Sequence, residues 1–127
     1  MMQNLSIVGN DVMPSVEFNY ETGVLRIEGR SLLEDAVGFY QPLLLWIDKY
    51  LKDPKQKTTI IINLEYFNSA SARMIAKILM KLEEAYEKDL TEVRVIWKYI
   101  ENDDIMLEKG KEFKSIVFLP FEFEVIR

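Results

Sequence analysis

Two serines and an arginine lie close together in the stretch EYFNSASARMI, which covers residues 65–75. Ser69 and Ser71 follow a strongly apolar segment and precede a run in which apolar residues recur every three or four positions. This pattern places both serines at the start of a helix that follows a buried strand. A serine in that place has three possible roles: it caps the helix, acts as a nucleophile or accepts a phosphoryl group.

Nucleophilic catalysis is disfavoured because the chain contains no histidine and no cysteine. A Ser-His-Asp triad and a thiolate nucleophile are therefore excluded, and a lysine base stays open as an activator of Ser69 or Ser71. The same composition excludes disulfides and the usual zinc sites. No catalytic residue is predicted, and we expect that the protein is not an enzyme.

Ser69 is well placed to carry a phosphoryl group. The first turn of a helix presents unpaired N–H groups and partial positive charge, which together favour an anion. Arg73 lies one turn further along and can add a charge-assisted contact. The competing interpretation is that Asn68, Ser69 or Ser71 only caps the helix, because Asn and Ser are preferred N-caps. The residues alone leave both interpretations open.

The composition is typical of a globular protein, with 127 residues, 49% hydrophobic residues and a formal net charge of −5. An acidic chain repels phosphate backbones, so we expect no nucleic-acid binding. No signal peptide or bilayer-spanning segment is evident, and we expect a cytoplasmic protein that does not insert into membranes. The acidic residues of ENDDIMLE lack calcium-loop spacing and are interpreted as helix-terminus residues, so neither a metal nor a cofactor is predicted.

The serines belong to a longer alternation of strands and helices. Residues 16–29 predict a β-hairpin. We expect a capping box of Ser31 and Glu34 to start the first helix, and Pro42 to kink or restart it. The apolar run at residues 58–64 is typical of a strand that is covered on both faces.

The second half of the chain continues the alternation. A helix is predicted over residues 69–88, and a strand follows it. A third helix then begins at Asp103 or Asp104 and ends near Gly110, before a last strand. Strand–helix–strand units favour parallel pairing with right-handed crossovers. We therefore predict one α/β domain over residues 1–127, with a mixed, mostly parallel sheet, an N-terminal antiparallel hairpin and three helices.

The first predicted helix carries an unusually wide apolar surface. Phe39, Trp46 and Tyr50 lie along one line of its helical wheel. The apolar arc continues beside them to a total of roughly 180°, through Ala36, Tyr40, Leu43, Leu44, Ile47 and Leu51. One face of a sheet covers an arc of only about 100°. The extra width predicts either that these aromatic residues are partly exposed as anchors for a partner, or that a kink at Pro42 turns both sides into the core.

Three blocks of the sequence resemble the SiaC-type bacterial regulatory phosphoproteins. They are GRSLLEDAVGFYQPLLLWI, INLEYFNSASARMI, and DDIMLEKGKEF with the later LPFEF. Those proteins have a fold similar to STAS domains, the class of the anti-sigma-factor antagonists. In that class a serine or threonine that follows Asp or Asn at the start of a helix is phosphorylated. By position, the resemblance makes Ser69, after Asn68, the phosphorylated residue.

The resemblance also implies partners. It implies a cognate serine/threonine kinase that phosphorylates Ser69 and a PP2C-type phosphatase that removes the phosphate. It further implies that the unmodified form binds and activates a diguanylate cyclase, which couples partner switching to cyclic-di-GMP signalling and biofilm behaviour. The alternative function is a STAS-like module that binds a small ligand or a lipid without any phosphorylation.

Overall fold

A computed structural model describes residues 2–127. The chain forms one six-stranded sheet whose spatial order follows the sequence order. The strands are β1 (Leu5–Ile7), β2 (Ser15–Asn19), β3 (Val24–Ser31), β4 (Lys57–Phe67), β5 (Glu92–Ile100) and β6 (Phe121–Ile126). The helices are α1 (Ala36–Tyr50), α2 (Ser69–Glu87) and α3 (Asp104–Ile116).

The pairing directions confirm the predicted α/β fold. β1, β2 and β3 pair antiparallel, whereas β3, β4, β5 and β6 pair parallel with one helix in each connection. The short edge strand β1 was not predicted, because three residues are too few to show a period of two. No helix within residues 2–127 combines the length and apolar character that crossing a bilayer requires.

All three helices cover the same face of the sheet. The cross-strand register aligns a row of fully buried side chains on this face: Phe18, Leu25, Ile60 and Val95. Trp46 of α1 packs on Phe18, and Phe113 of α3 packs on Trp97, two residues beyond the row. The apolar stripe of α2 joins the same core.

β4 is a central strand with apolar side chains buried on both faces, but helices cover only one of these faces. Ile61 points to the other face, which the described helices leave uncovered. It is nevertheless buried, with Arg26 and Ile96 as its cross-strand partners. The long arginine side chain covers apolar surface with its methylene stem while its charged end stays in water. A continuous apolar run therefore occurs here without a second helical layer.

The predicted start of α1 also needs correction. Ser31 is the last residue of β3 and is fully buried, so it does not cap the helix. Asp35 is the N-cap, and its carboxylate accepts a hydrogen bond from the Gly38 N–H at 3.0 Å. Pro42 lies inside one continuous helix, so the helix does not restart there.

α3 is longer than predicted. It begins after Asp103, whose carboxylate accepts from the Met106 N–H at 3.0 Å, and it continues six residues past Gly110 to Ile116. A Cβ on Gly110 would lie 2.6 Å from the indole nitrogen of Trp97. The glycine therefore allows close helix–sheet packing and does not end the helix. The packing holds α3 against β5 and β6, and a groove separates α3 from the N-terminal half of α2.

Candidate functional site

Asn68 caps α2 and also ties it to the preceding loop. Its side-chain oxygen accepts a hydrogen bond from the Ser71 N–H at 2.9 Å, and its side-chain nitrogen donates to the carbonyl oxygen of Leu33 at 2.9 Å. Its backbone N–H donates to the carbonyl oxygen of Ser31 at 3.0 Å. The amide therefore fixes the helix start against the end of β3, and neither serine is needed as the cap.

Ser71 is locked into the core. Its hydroxyl donates to the carbonyl oxygen of Ser31 at 2.9 Å and accepts from the Ser31 hydroxyl at 2.7 Å. Because the Ser31 proton is used in this way, the Tyr40 hydroxyl donates to Ser31 Oγ, at 2.8 Å. Ser31 and Ser71 are both fully buried, so Ser71 is inaccessible to another protein's active site.

Tyr40 completes this buried chain of hydroxyl groups. Burial raises the pKa of Tyr40 to about 12, and the hydrogen bond with Ser31 acts in the opposite, lowering direction. The neutral phenol is therefore the form that the fold stabilises. The chain joins α1, the end of β3 and the first turn of α2.

Ser69 differs from Ser71 in every one of these respects. It is the first residue of α2 and is exposed to solvent. Within residues 2–127 its hydroxyl takes part in no hydrogen bond. Neither capping nor core packing therefore explains a serine at this position. Its hydroxyl is accessible and has no partner within residues 2–127.

A groove of about 670 Å³ opens beside Ser69 between α2 and α3, at the carboxyl end of β4. Its floor includes the small residues Ala72 and Ala76 of α2, and the buried ring of Phe113 contributes from α3. Two half-exposed apolar side chains, Tyr66 and Ile116, also line it. The groove therefore combines an apolar floor with an accessible hydroxyl.

Two cationic side chains line the same groove. Arg73 lies four residues after Ser69 on α2 and is exposed. Lys109 comes from α3, and its ammonium nitrogen lies 5.1 Å from the centre of the Phe67 ring. None of the ion pairs in the described part of the chain includes either residue. Glu112 is the one carboxylate among the described lining residues.

The aromatic residues of α1 are placed differently from the expected anchors. Trp46 and Tyr50 are buried, so the expectation that they are exposed for a partner is wrong. Their rings stack at 5.3 Å, and the Trp46 indole N–H donates to the carbonyl oxygen of Gln3 at 2.8 Å. The N-terminal segment covers this side of α1. Phe39 alone stays half-buried, with its ring 5.1 Å from that of Tyr40.

The acidic residues of ENDDIMLE have structural roles. Asp103 is the N-cap of α3, and Asp104 lies in its first turn, where negative charge is favourable. Glu101 pairs with Arg127 at 3.8 Å, and Glu108 pairs with Lys111 at 3.7 Å.

Sequence reasoning missed two parts of the site. The hydrogen bonds that join Ser31 to Tyr40 and Ser71 were not predicted, because Ser31 fits a capping box in the sequence. Lys109 was missed because it comes from a different helix, 40 positions after Ser69. A usable signal was the parallel order of β4 and β5, which brings the elements after each strand to the same edge of the sheet.

Comparison with known proteins gives a consistent result over the whole fold. The family model "SiaC family regulatory phosphoprotein" matches residues 7–126. An uncharacterized protein of Pseudomonas aeruginosa strain UCBPP-PA14 is 25% identical over 123 residues, which covers 97% of each chain.

Solved structures agree with the family match. SiaC of Pseudomonas aeruginosa superimposes with a TM-score of 0.91 at 25% identity, over 98% of this chain and 100% of that one. SiaC in complex with the diguanylate cyclase SiaD, of which it is the activator, gives 0.90 at 24% identity, over 96% and 99%. The family match over residues 7–126, together with the shared fold, places the chain in the SiaC family of regulatory phosphoproteins.

Proposed function

We propose that this protein is a non-enzymatic regulatory switch whose state is set by phosphorylation of Ser69. The observation that carries the proposal is the contrast at the start of α2: Asn68 caps the helix and Ser71 is buried, whereas Ser69 is exposed with a free hydroxyl. Membership of a family of regulatory phosphoproteins supports a phosphoryl acceptor in this chain.

The chemistry of the switch belongs to two partner enzymes. A cognate serine/threonine kinase transfers the γ-phosphoryl group of ATP to Ser69 Oγ, and ADP leaves while the hydroxyl proton passes to a base of the kinase. A PP2C-type phosphatase then uses water to break the phosphorus–oxygen bond, which restores the hydroxyl and releases inorganic phosphate. This chain supplies only the acceptor and its surroundings.

The unmodified form is proposed to bind and activate a diguanylate cyclase, and so to control cyclic-di-GMP signalling and biofilm behaviour. The SiaC relative that forms a complex with the cyclase SiaD supports this output. Phosphorylation adds about −1.5 to −2 charges to the groove. A partner that covers Ser69 would have to desolvate that charge, which favours release of the phosphorylated form.

A second candidate function is binding of a small ligand or a lipid without phosphorylation. The groove of about 670 Å³ with its apolar floor favours this candidate, because pockets for organic molecules have this volume and lining. The same experiment distinguishes the two functions.

The test starts with protein purified from its native cells. Phosphopeptide mapping of the wild type is expected to find phosphate on Ser69, and treatment with a PP2C-type phosphatase is expected to remove it. Ser69→Ala should carry no phosphate, whereas Ser115→Ala, at another exposed serine, should be phosphorylated like the wild type. Phosphate on another residue, or a bound organic molecule in native mass spectrometry with unmodified Ser69, would contradict the switch.

Binding of the cyclase provides the second part of the test. Ser69→Ala is expected to bind a diguanylate cyclase as tightly as the unmodified wild type, and enzymatically phosphorylated protein is expected to bind at least tenfold more weakly, a difference of about 1.4 kcal/mol. Equal affinity of the two forms would refute the proposed direction of switching.

A further inference from the structure

The groove beside Ser69 holds two positive charges that have no carboxylate partner in the described part of the chain. Arg73 and Lys109 approach it from different helices, and neither takes part in an ion pair with the rest of residues 2–127. Two other lysines of the same helices do have carboxylate partners, Lys81 with Asp48 at 2.7 Å and Lys111 with Glu108 at 3.7 Å, whereas Lys77 and Lys114 have none within residues 2–127. Arg73 and Lys109 are thus two unpaired cations from different helices that line one groove beside the proposed modification site.

The spacing of these cations suits an anion on Ser69. Arg73 follows Ser69 by four residues on one helix, so the two side chains lie on the same face. Lys109 lines the same groove from α3, where its contact with the Phe67 ring limits the directions its ammonium group can take. Two cations match the charge of about −1.5 to −2 that a phosphoserine carries.

We propose that the phosphoryl group on Ser69 is bound within the chain by Arg73 and Lys109, so that it bridges α2 and α3 across the groove. This inference rests on the proposed phosphorylation of Ser69. The guanidinium group of Arg73 presents paired N–H donors to two phosphoryl oxygens, and the ammonium group of Lys109 acts as a point charge on the third.

One carboxylate opposes this arrangement. Glu112 lines the groove beside Lys109 and is exposed, so it can turn toward solvent when a phosphoryl group occupies the groove. The phenol of Tyr66 is the remaining titratable side chain on the lining. The electrostatic balance at the phosphoryl group is therefore positive by one charge, with Arg73 and Lys109 against Glu112.

The bridge has a consequence for regulation. It neutralises both cations and occupies the space between the helices, so a partner that recognises the open, cationic groove loses charge complementarity and access together. It also fixes α3 to α2 by a contact that the unmodified protein lacks. Phosphorylation therefore changes the surface and the local rigidity of the protein at once.

The experiment uses full-length protein in which phosphoserine is incorporated at position 69 during translation, so that no kinase is needed. A ³¹P NMR titration measures the second pKa of the phosphoryl group, which is ordinarily about 6. Neighbouring cations stabilise the dianion, so we expect this pKa to lie about 1 unit lower in the folded protein than in urea. Arg73→Gln and Lys109→Gln should each raise it towards the value in urea.

Matched controls test whether the effect is local. Lys77→Gln removes an exposed charge one turn beyond Arg73, and Lys111→Gln removes one that is two residues from Lys109, but neither residue lines the groove. Both should leave the pKa at its wild-type value. Arg73→Lys and Lys109→Arg keep the charge and should restore most of the shift, and circular dichroism verifies that every variant is folded.

Two results would overturn the bridge. One is a phosphoryl pKa that is the same in the folded protein and in urea. The other is a shift that survives both Arg73→Gln and Lys109→Gln, separately and combined. Failure of the proposed function would instead appear as unphosphorylated Ser69 in protein from native cells. The titrated protein acquires its phosphoserine during translation. The titration therefore tests the bridge independently of whether native cells phosphorylate Ser69.

Discussion

Two regions of this protein contain the side chains that partners usually recognise, but one region is buried and the other is exposed. The aromatic cluster under α1 is closed: Trp46 stacks on Tyr50 and packs on Phe18 at 5.4 Å, and all three are buried. The groove beside α2 is open, with an exposed serine and two cations.

The polar atoms of the two regions show the same difference. In the aromatic cluster the Trp46 N–H is bonded to Gln3, and the Tyr50 hydroxyl is bonded to Thr58 at 2.8 Å. In the groove, the Ser69 hydroxyl and both cations lack such partners within residues 2–127. Large aromatic side chains thus stabilise the fold here, and the less conspicuous polar groups remain available for regulation.

The largest expected effect tests the closed region. Trp46→Ala removes a buried stacked ring and should lower the free energy of unfolding by about 3–5 kcal/mol, because it leaves a cavity. Tyr66→Ala, at a half-exposed aromatic residue of the groove, should cost less than about 1 kcal/mol. Urea denaturation measures both. The contradicting result is a Trp46→Ala variant that keeps nearly wild-type stability but no longer binds its effector. That result would show that Trp46 acts as an exposed anchor for a partner and not as a core residue.

The next effect concerns the hydroxyl chain behind the groove. The pKa of Tyr40 is raised from 10.0 to about 12 in the folded protein by burial. The neutral phenol therefore contributes stability that is fully present below pH 10 and is lost as the pH rises towards 12. Below pH 10, Tyr40→Phe should be less stable than the wild type by about 1 kcal/mol, the net value of the hydrogen bond.

The order should reverse in alkali. Each pH unit between the two pKa values costs the wild type about 1.4 kcal/mol, whereas the phenylalanine variant has no proton to lose at this position. At pH 11.5 the variant should therefore be the more stable of the two. Urea denaturation at pH 9 and pH 11.5 gives the two differences, and a difference that is the same at both pH values would show that Tyr40 is not protected by burial.

The β4–α2 unit could be predicted from sequence because its signals are local. The apolar run before Asn68 and the helical period after Ser69 mark the strand, the cap and the helix within 30 residues. The observed bounds of α2, Ser69–Glu87, agree with the predicted 69–88. The exposure of Ser69 next to the buried Ser71 was not predictable in this way, because both serines have the same local chemistry.

The parts that sequence reasoning missed depend on contacts between distant segments. Ser31 satisfies a capping pattern, yet it bonds to Ser71 across 40 positions. Trp46 lies on a line that looks exposed on a helical wheel, yet the N-terminal segment that includes Gln3 covers it. Tertiary contacts overrode a local preference in both cases, and the groove with Lys109 exists only because the sheet positions α3 across from the start of α2.

The smallest expected change in stability is that of Ser69→Ala, and its contrast with Ser71→Ala separates the two serines themselves. Ser71→Ala removes the acceptor of the Ser31 hydroxyl from a buried chain, and should cost about 1–3 kcal/mol. Ser69→Ala removes an exposed hydroxyl without a structural partner, and its free energy of unfolding should stay within about 0.5 kcal/mol of the wild type. Phosphorylation should show the opposite pattern, with phosphate retained in Ser71→Ala and absent from Ser69→Ala. If Ser71→Ala were neutral for stability but unphosphorylated, the switch would lie on Ser71 and would require α2 to open from its N-terminus, since Ser71 is fully buried in the folded chain.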